Sequence, residues 1–185
     1  MGISLVQIHG GLGECTSNDQ WLPYSKTHLE KAGFAVTSKN FPNPIKTDYK
    51  EWMDFLFSGC KPTKNTVLIG HSMGAVLSLR YAMENKLGGL VIVSGFFTTL
   101  KDDLVKKTNF IPNVWNWKKI KANSPWIIQY HTKDDPYITV EEARKLSKLI
   151  DSEYYEFEGG YHLGNEEFPC AAFPHLVSTI LAKLK

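Results

Sequence analysis

The sequence predicts an α/β fold in which six parallel strands form one sheet with helices on both faces. β-rich runs alternate with helical patterns along the chain, and no repeat or linker interrupts the alternation. The 185 residues are enough for a single domain, 1–185, with its own core. Strands are expected near residues 3–8, 34–40, 66–70, 89–94, 126–131 and 153–157, and helices near 20–32, 47–58, 74–86, 139–150 and 173–184.

Flanking residues justify several of these elements. The first strand leads directly into a Gly-rich loop, and it lacks the basic segment that begins a signal peptide. Asp48 or Thr47 is placed to cap the second predicted helix. Thr139, with Glu142 three residues later, has the spacing of a capping box at the start of the fourth.

A five-residue motif follows the third predicted strand. Residues Gly70-His71-Ser72-Met73-Gly74 match G-x-S-x-G, between the apolar run 66–69 and the helix-like run 75–82. Glycines at both flanks let the strand and the helix pass close together. Ser72 is then exposed at the carboxyl end of the sheet, near a helix N-terminus that favours developing negative charge. The motif predicts a nucleophilic serine, and an ordinary strand-to-helix turn is the alternative.

A nucleophilic serine needs a histidine base and a carboxylate that orients it. Asp134 and Asp135 follow the fifth predicted strand, and His162 follows the sixth in a Gly-rich turn. Because the carboxyl ends of parallel strands meet at one edge of a sheet, these groups are expected to lie near Ser72. Pro136 stiffens the backbone beside Asp135 and favours it for the orienting role, with Asp134 as the alternative.

Two backbone N–H groups are expected to bind the oxyanion. Met73, directly after the nucleophile, supplies one. The loop after the first strand supplies the other, with Gly11 as the first choice and Leu12 as the second. This loop lacks the lysine of a phosphate-binding G-x-x-x-x-G-K-[ST] motif. There is no H-E-x-x-H spacing and no C-x-x-C pair, so neither a metal nor a cofactor is expected.

Residues from about 95 to 125 interrupt the alternation with aromatic side chains that follow no clear period. They either fill the core around a short helix or form a compact lid over the active-site cleft. We expect the lid. The residues assigned to the substrate pocket are Phe96, Phe97, Phe110, Trp115 and Trp117.

Composition limits the partners and the compartment. The net charge of +2 gives no reason to expect a nucleic acid partner, and no apolar run approaches the roughly 20 residues that span a membrane. Cys15, Cys60 and Cys170 are odd in number, which favours thiols in a reducing compartment over disulfides. We therefore expect a small-molecule substrate and a cytoplasmic location, with the nucleus also compatible.

Several longer motifs are more specific than G-x-S-x-G, and through them the chain resembles the retinoblastoma-binding-protein 9 family of small serine α/β-hydrolases. The resemblance covers nearly the whole chain. It implies an α/β-hydrolase fold, a small apolar and aromatic pocket, and a triad of Ser72, Asp135 and His162. The motifs are Gly70-His71-Ser72-x-Gly74-Ala75, Lys39-Asn40-Phe41-Pro42-Asn43-Pro44-Ile45, Arg80-Tyr81-Ala82, Trp115-x-Trp117-x-Lys119-Ile120-Lys121-Ala122-Asn123-x-Pro125, Asp134-Asp135-Pro136 and Gly160-Tyr161-His162.

One departure from the family concerns its namesake partner. The L-x-C-x-E motif that binds retinoblastoma protein is matched here by Cys60-Lys61-Pro62-Thr63-Lys64, and no other cysteine has Leu and Glu at the required spacing. Binding to retinoblastoma protein is therefore not expected.

Together these features predict a single α/β-hydrolase domain with strand order 2-1-3-4-5-6 and a small lid. This order puts Ser72 at the topological switch point. The expected activity is cleavage of a small ester, thioester or amide through an acyl-enzyme intermediate. A catalytically silent binding module and an acyltransferase are the alternatives.

Overall fold

The computed structural model describes residues 2–164 and 170–185. The strands found there form one parallel sheet of six. They are β1 (Ser4–Ile8), β2 (Ala35–Ser38), β3 (Thr66–His71), β4 (Gly89–Val93), β5 (Ile127–Thr132) and β6 (Glu153–Phe157). Their order is β2-β1-β3-β4-β5-β6, so the predicted α/β fold, its parallel pairing and its strand order are confirmed.

All five predicted helices are found, although their ends differ by up to a few residues. Two further short helices lie in the aromatic segment between β4 and β5. The helices are α1 (Leu22–Lys31), α2 (Tyr49–Phe55) with a π-helical continuation (Leu56–Cys60), α3 (Met73–Ala82), α4 (Asp103–Lys107), α5 (Trp117–Asn123), α6 (Val140–Ile150) and α7 (Pro174–Leu184).

The helices cover both faces of the sheet and create two hydrophobic layers. Helices α2, α3, α5 and α6 contribute to one layer, and α1 and α7 contribute to the other. Strand β3 shows the division, because Leu68 packs into the first layer while Val67 and Ile69 pack into the second. Successive side chains of a strand point to opposite faces. The uninterrupted apolar run of β3 is therefore the pattern of a strand buried on both sides.

The helix caps were predicted in part. The Asp48 carboxylate accepts a hydrogen bond from the Glu51 N–H at 3.0 Å, so Asp48 rather than Thr47 caps α2. The Thr139 hydroxyl accepts from the Glu142 N–H at 3.3 Å, as expected. The other half of the capping box was predicted wrongly, because the Glu142 carboxylate accepts from backbone N–H groups elsewhere.

The Glu142 carboxylate ties α6 to the segment that follows β4. Its Oε1 accepts from the N–H of Phe97 at 3.1 Å and of Thr98 at 2.9 Å. These bonds hold the start of the aromatic segment beside the carboxyl edge of the sheet. Part of that segment is core, since Val105, Phe110 and Ile120 are buried in the first hydrophobic layer.

The structure also bears on membrane insertion. Among residues 2–164 and 170–185, no helix combines the length and the apolar character that crossing a bilayer requires.

Candidate active site

Ser72 lies in a sharp turn between β3 and α3 that depends on two glycines. A Cβ atom on Gly70 would lie 2.3 Å from the carbonyl oxygen of Gly74, and one on Gly74 would lie 2.4 Å from that of Ile8. No side chain fits at either position. Ser72 itself has φ +53° and ψ −118°, a conformation that is costly for a residue with a side chain. This is the strained strand-to-helix turn that the G-x-S-x-G motif predicts.

Asp135 and His162 are joined by a hydrogen bond of 2.8 Å between Oδ2 and Nδ1. The other carboxylate oxygen of Asp135 accepts from the N–H groups of Tyr137 at 2.9 Å and Ile138 at 3.0 Å. Because a carboxylate only accepts, Nδ1 of His162 must carry the proton, which leaves Nε2 able to accept one. The pair therefore has the tautomer that a general base needs.

The charge state of Asp135 agrees with this assignment. Its side chain is fully buried, and burial alone acts to raise the pKa. The hydrogen bond and charge interaction with His162, the Tyr137 N–H and the nearby His131 outweigh burial, so the pKa lies below its ordinary value. Asp135 is therefore ionised at neutral pH and can stabilise an imidazolium at His162.

The neighbouring aspartate has a different position. The Asp134 carboxylate accepts from the N–H of Gly160 at 3.2 Å and of Tyr161 at 2.9 Å. It binds the backbone just before His162 and not the imidazole. The two adjacent carboxylates thus divide two tasks, with Asp134 holding the loop and Asp135 contacting the ring.

Two other histidines near the site have their own partners. His9 accepts from the Phe41 N–H through Nε2 at 2.7 Å, and its Nδ1 lies 2.6 Å from the Gly10 carbonyl oxygen. Burial lowers the pKa of His9, so it is held neutral. Nε2 of His131 lies 3.9 Å from Asp135 and 3.1 Å from the Ile138 carbonyl oxygen. Of these rings, His162 alone is within hydrogen-bonding distance of Asp135.

The expected oxyanion donors have unequal support. Met73 is the first residue of α3, where the helix leaves its N–H groups without intrahelical acceptors. The N–H of Leu12 donates to the Pro44 carbonyl and to the Thr47 hydroxyl, each at 2.8 Å, so the second choice was wrong. Gly11 remains the candidate donor from the loop. A Cβ atom at this position would lie 2.4 Å from Oγ1 of Thr47.

A cavity of about 960 Å³ opens beside Ser72 and His162. The glycine loop and Met73 line it near Ser72. Its wall also includes apolar and aromatic side chains from the segment after β4 and from the turn after Asp135. These side chains are Phe96, Leu100, Leu104, Val105, Pro136, Tyr137 and Ile138.

Of the aromatic residues assigned to the pocket, Phe96 lines this cavity. The other four, Phe97, Phe110, Trp115 and Trp117, are not among the residues that line it. Phe110 is fully buried and its ring packs edge-on against Trp52 at 5.6 Å. Trp117 stacks on Trp115 at 4.9 Å and meets Phe97 edge-on at 5.6 Å. The aromatic residues of the segment therefore pack mainly with one another and with the core.

Comparisons with known proteins agree with this fold. A family model described as serine hydrolase matches residues 6–175. The rat protein Serine hydrolase RBBP9 is 32% identical over 164 residues, which cover 88% of each chain. Putative hydrolase YdeN of Bacillus subtilis (strain 168) is 30% identical over 168 residues, covering 87% of this chain and 86% of that protein.

The crystal structure of the B. subtilis ydeN gene product superposes with a TM-score of 0.88, at 26% identity and 98% coverage of both chains. The resemblance inferred from the motifs is thereby confirmed. The chain belongs to the RBBP9-like family of small serine hydrolases with the α/β-hydrolase fold, and it is a serine hydrolase.

Proposed function

We propose that Ser72, His162 and Asp135 form a catalytic triad that hydrolyses a small ester, thioester or amide. One observation carries this proposal. A buried Asp135–His162 pair, joined at 2.8 Å, lies at a cavity that His162 and the strained Ser72 both line. The family supports hydrolysis, and the cavity is of the size that small-molecule sites commonly have.

The proposed reaction begins when Oγ of Ser72 attacks the substrate carbonyl carbon. Nε2 of His162 takes the hydroxyl proton, and Asp135 stabilises the resulting imidazolium. The N–H groups of Met73 and Gly11 bind the oxyanion. His162 then passes the proton to the leaving group, and the carbon–leaving-group bond breaks to give the acyl-enzyme.

Deacylation repeats these steps with water as the nucleophile. His162 takes a proton from the water, the oxygen adds to the acyl carbon, and the proton returns to Oγ of Ser72 as its bond to carbon breaks. The products are an alcohol, thiol or amine and a carboxylic acid. All proton transfers use this chain's own side chains.

Covalent labelling tests the proposal directly. A fluorophosphonate probe reacts with an activated serine, so we expect one adduct, on the peptide that contains Ser72. The wild-type protein would be labelled, digested and mapped by mass spectrometry, with heat-denatured protein as the control. An adduct on another residue, or no adduct on folded protein, would contradict the assignment of the nucleophile.

The cavity predicts a preference for short acyl chains. Only 33 residues lie between β4 and β5, too few for a large cap domain. Each methylene that fits contributes about 0.8 kcal/mol at most, so kcat/KM should rise by up to about fourfold per carbon over the first few carbons and then fall. Rates would be measured for p-nitrophenyl esters from acetyl to palmitoyl.

Alanine variants of two valines test whether the cavity itself sets this preference. Val105 is buried and lines the cavity, whereas Val114 is 78% exposed and does not line it. Val105→Ala should move the optimum toward longer chains, and Val114→Ala should leave it unchanged. A wild-type optimum at twelve carbons or more, or activation at a lipid interface, would rule out the compact pocket.

A further inference from the structure

The main-chain carbonyl of His162 accepts hydrogen bonds from two buried side chains that lie far away in the sequence. Nε2 of His71 lies 2.8 Å from this oxygen, and Oγ of Ser94 lies 3.1 Å from it. His71 is the last residue of β3, and Ser94 directly follows β4. Two neighbouring strands at the centre of the sheet therefore both bind the backbone of the proposed base.

His71 can serve only as a neutral donor at this position. A carbonyl oxygen accepts and never donates, so Nε2 of His71 must carry a proton. The ring is buried, and burial lowers its pKa to about 3. The ring therefore stays uncharged at physiological pH, and its hydrogen bond to the carbonyl does not depend on pH in that range.

The loop needs such support because regular structure does not fix it. Residues 160–164 include four with positive φ: +131° at Gly160, +51° at Tyr161, +50° at Leu163 and +112° at Gly164. Non-glycine residues adopt these angles at a cost, and such conformations persist only where the surroundings enforce them. The position of the His162 backbone is thus determined by side-chain contacts.

Side chains also donate hydrogen bonds to the carbonyls on either side of His162. The Thr132 hydroxyl donates to the Tyr161 carbonyl, and Nε1 of Trp21 donates to that of Leu163 at 3.1 Å. Three consecutive carbonyls of the loop are therefore hydrogen-bonded to side chains of other elements. The middle one, that of His162, has two donors.

We propose that His71 and Ser94 are positioning residues, which hold the His162 peptide so that its imidazole reaches both Asp135 and Ser72. Asp135 holds Nδ1 of the ring, and the direction of Nε2 also depends on where the backbone lies. This inference rests on the proposed triad. A misplacement of about 1 Å at a reacting group can cost about 100-fold in rate.

Substitutions that separate the donor from the ring test the proposal. His71→Asn keeps a polar side chain but is too short to put a donor at the Nε2 position, whereas the longer amide of His71→Gln can reach it. We expect His71→Asn to lower kcat by roughly 10- to 100-fold with little change in KM. His71→Gln should recover most of that loss.

Ser94→Ala removes the second donor, and Ser78→Ala is its matched control. Ser78 is equally buried and also donates to a carbonyl, that of Gly74 at 2.8 Å. We expect Ser94→Ala to lower kcat by roughly threefold to tenfold and Ser78→Ala to change it by less than about twofold. Every kcat is divided by the final fraction of protein that a fluorophosphonate labels. This gives the turnover per active site and corrects for misfolded protein.

The outcomes separate this inference from the triad itself. If His162→Ala kept its activity, the proposed triad would be wrong. If His162→Ala were inactive while His71→Asn and Ser94→Ala kept the wild-type kcat per labelled site, only the positioning role would be wrong. Equal losses in His71→Asn and His71→Gln would likewise overturn the role of the Nε2 donor, because only the glutamine amide can reach that position.

Discussion

Ser72→Ala is expected to lower esterase turnover by about four to six orders of magnitude, the cost typical of removing a triad serine. The hydroxyl oxygen is the proposed nucleophile, and it would carry the acyl intermediate. The same substitution should abolish labelling by a fluorophosphonate. Both are measured on purified protein, as kcat with a short-chain p-nitrophenyl ester and as the labelled fraction by mass spectrometry.

The loss should not come from unfolding. Alanine at position 72 should adopt the same backbone angles as Ser72, because both residues carry a Cβ atom and meet the same strain at φ +53°. The thermal midpoint of Ser72→Ala should therefore stay close to that of the wild type. Ser78→Ala, in the helix that begins directly after Ser72, is the control for a lost serine hydroxyl and should keep its activity. Labelling of Ser72→Ala at another residue would show that the nucleophile is elsewhere.

The sequence was sufficient for features that depend on local pattern. The apolar run of β3 and the flanking glycines define the turn at Ser72, and the alternation of strands and helices defines a parallel sheet. The carboxyl ends of the strands then meet, which is why Asp135 and His162 were expected close together although 27 residues separate them. Helix capping by Asp48 and Thr139 likewise depends on residues only three positions apart.

Features that depend on packing between distant segments were not predictable in this way. The aromatic segment has no period, so nothing in it indicated that Phe96 faces the cavity while Phe110 enters the core. The bonds of His71 and Ser94 to the His162 carbonyl span 91 and 68 residues. A histidine beside Ser72 and a serine at a strand end are common residues, and only the folded loop gives them a shared acceptor.

The choice between the two adjacent aspartates shows the same limit. Spacing and the neighbouring Pro136 favoured Asp135 only weakly, since adjacent residues of one loop differ little by sequence rules. In the structure their carboxylates point to different partners. Asp135 contacts the imidazole of His162, and Asp134 contacts the N–H groups of Gly160 and Tyr161.

The two aspartates should therefore differ sharply when each is replaced by asparagine. Oδ1 of Asp135 accepts from the N–H groups of Tyr137 and Ile138, so in Asp135→Asn the amide oxygen stays with these donors and the NH₂ group faces His162. An NH₂ group donates and cannot accept, which forces the proton of the ring from Nδ1 to Nε2. The base then cannot take the proton of Ser72, and kcat should fall by about 10³ to 10⁴.

Asp134→Asn is the matched control, one residue away with the same chemical change. The two oxygens of Asp134 each accept from one N–H group, that of Gly160 or that of Tyr161, so the single amide oxygen of asparagine keeps one of these two hydrogen bonds. Asp134 does not contact the imidazole, so turnover should fall far less than in Asp135→Asn, by about tenfold at most. Both variants are compared by kcat/KM with one short-chain ester, at matched labelled fractions. A reversed ranking would move the orienting role to Asp134. Equal and mild losses in both would mean that neither carboxylate orients the base, and they would favour a cleft that binds its ligand without turning it over.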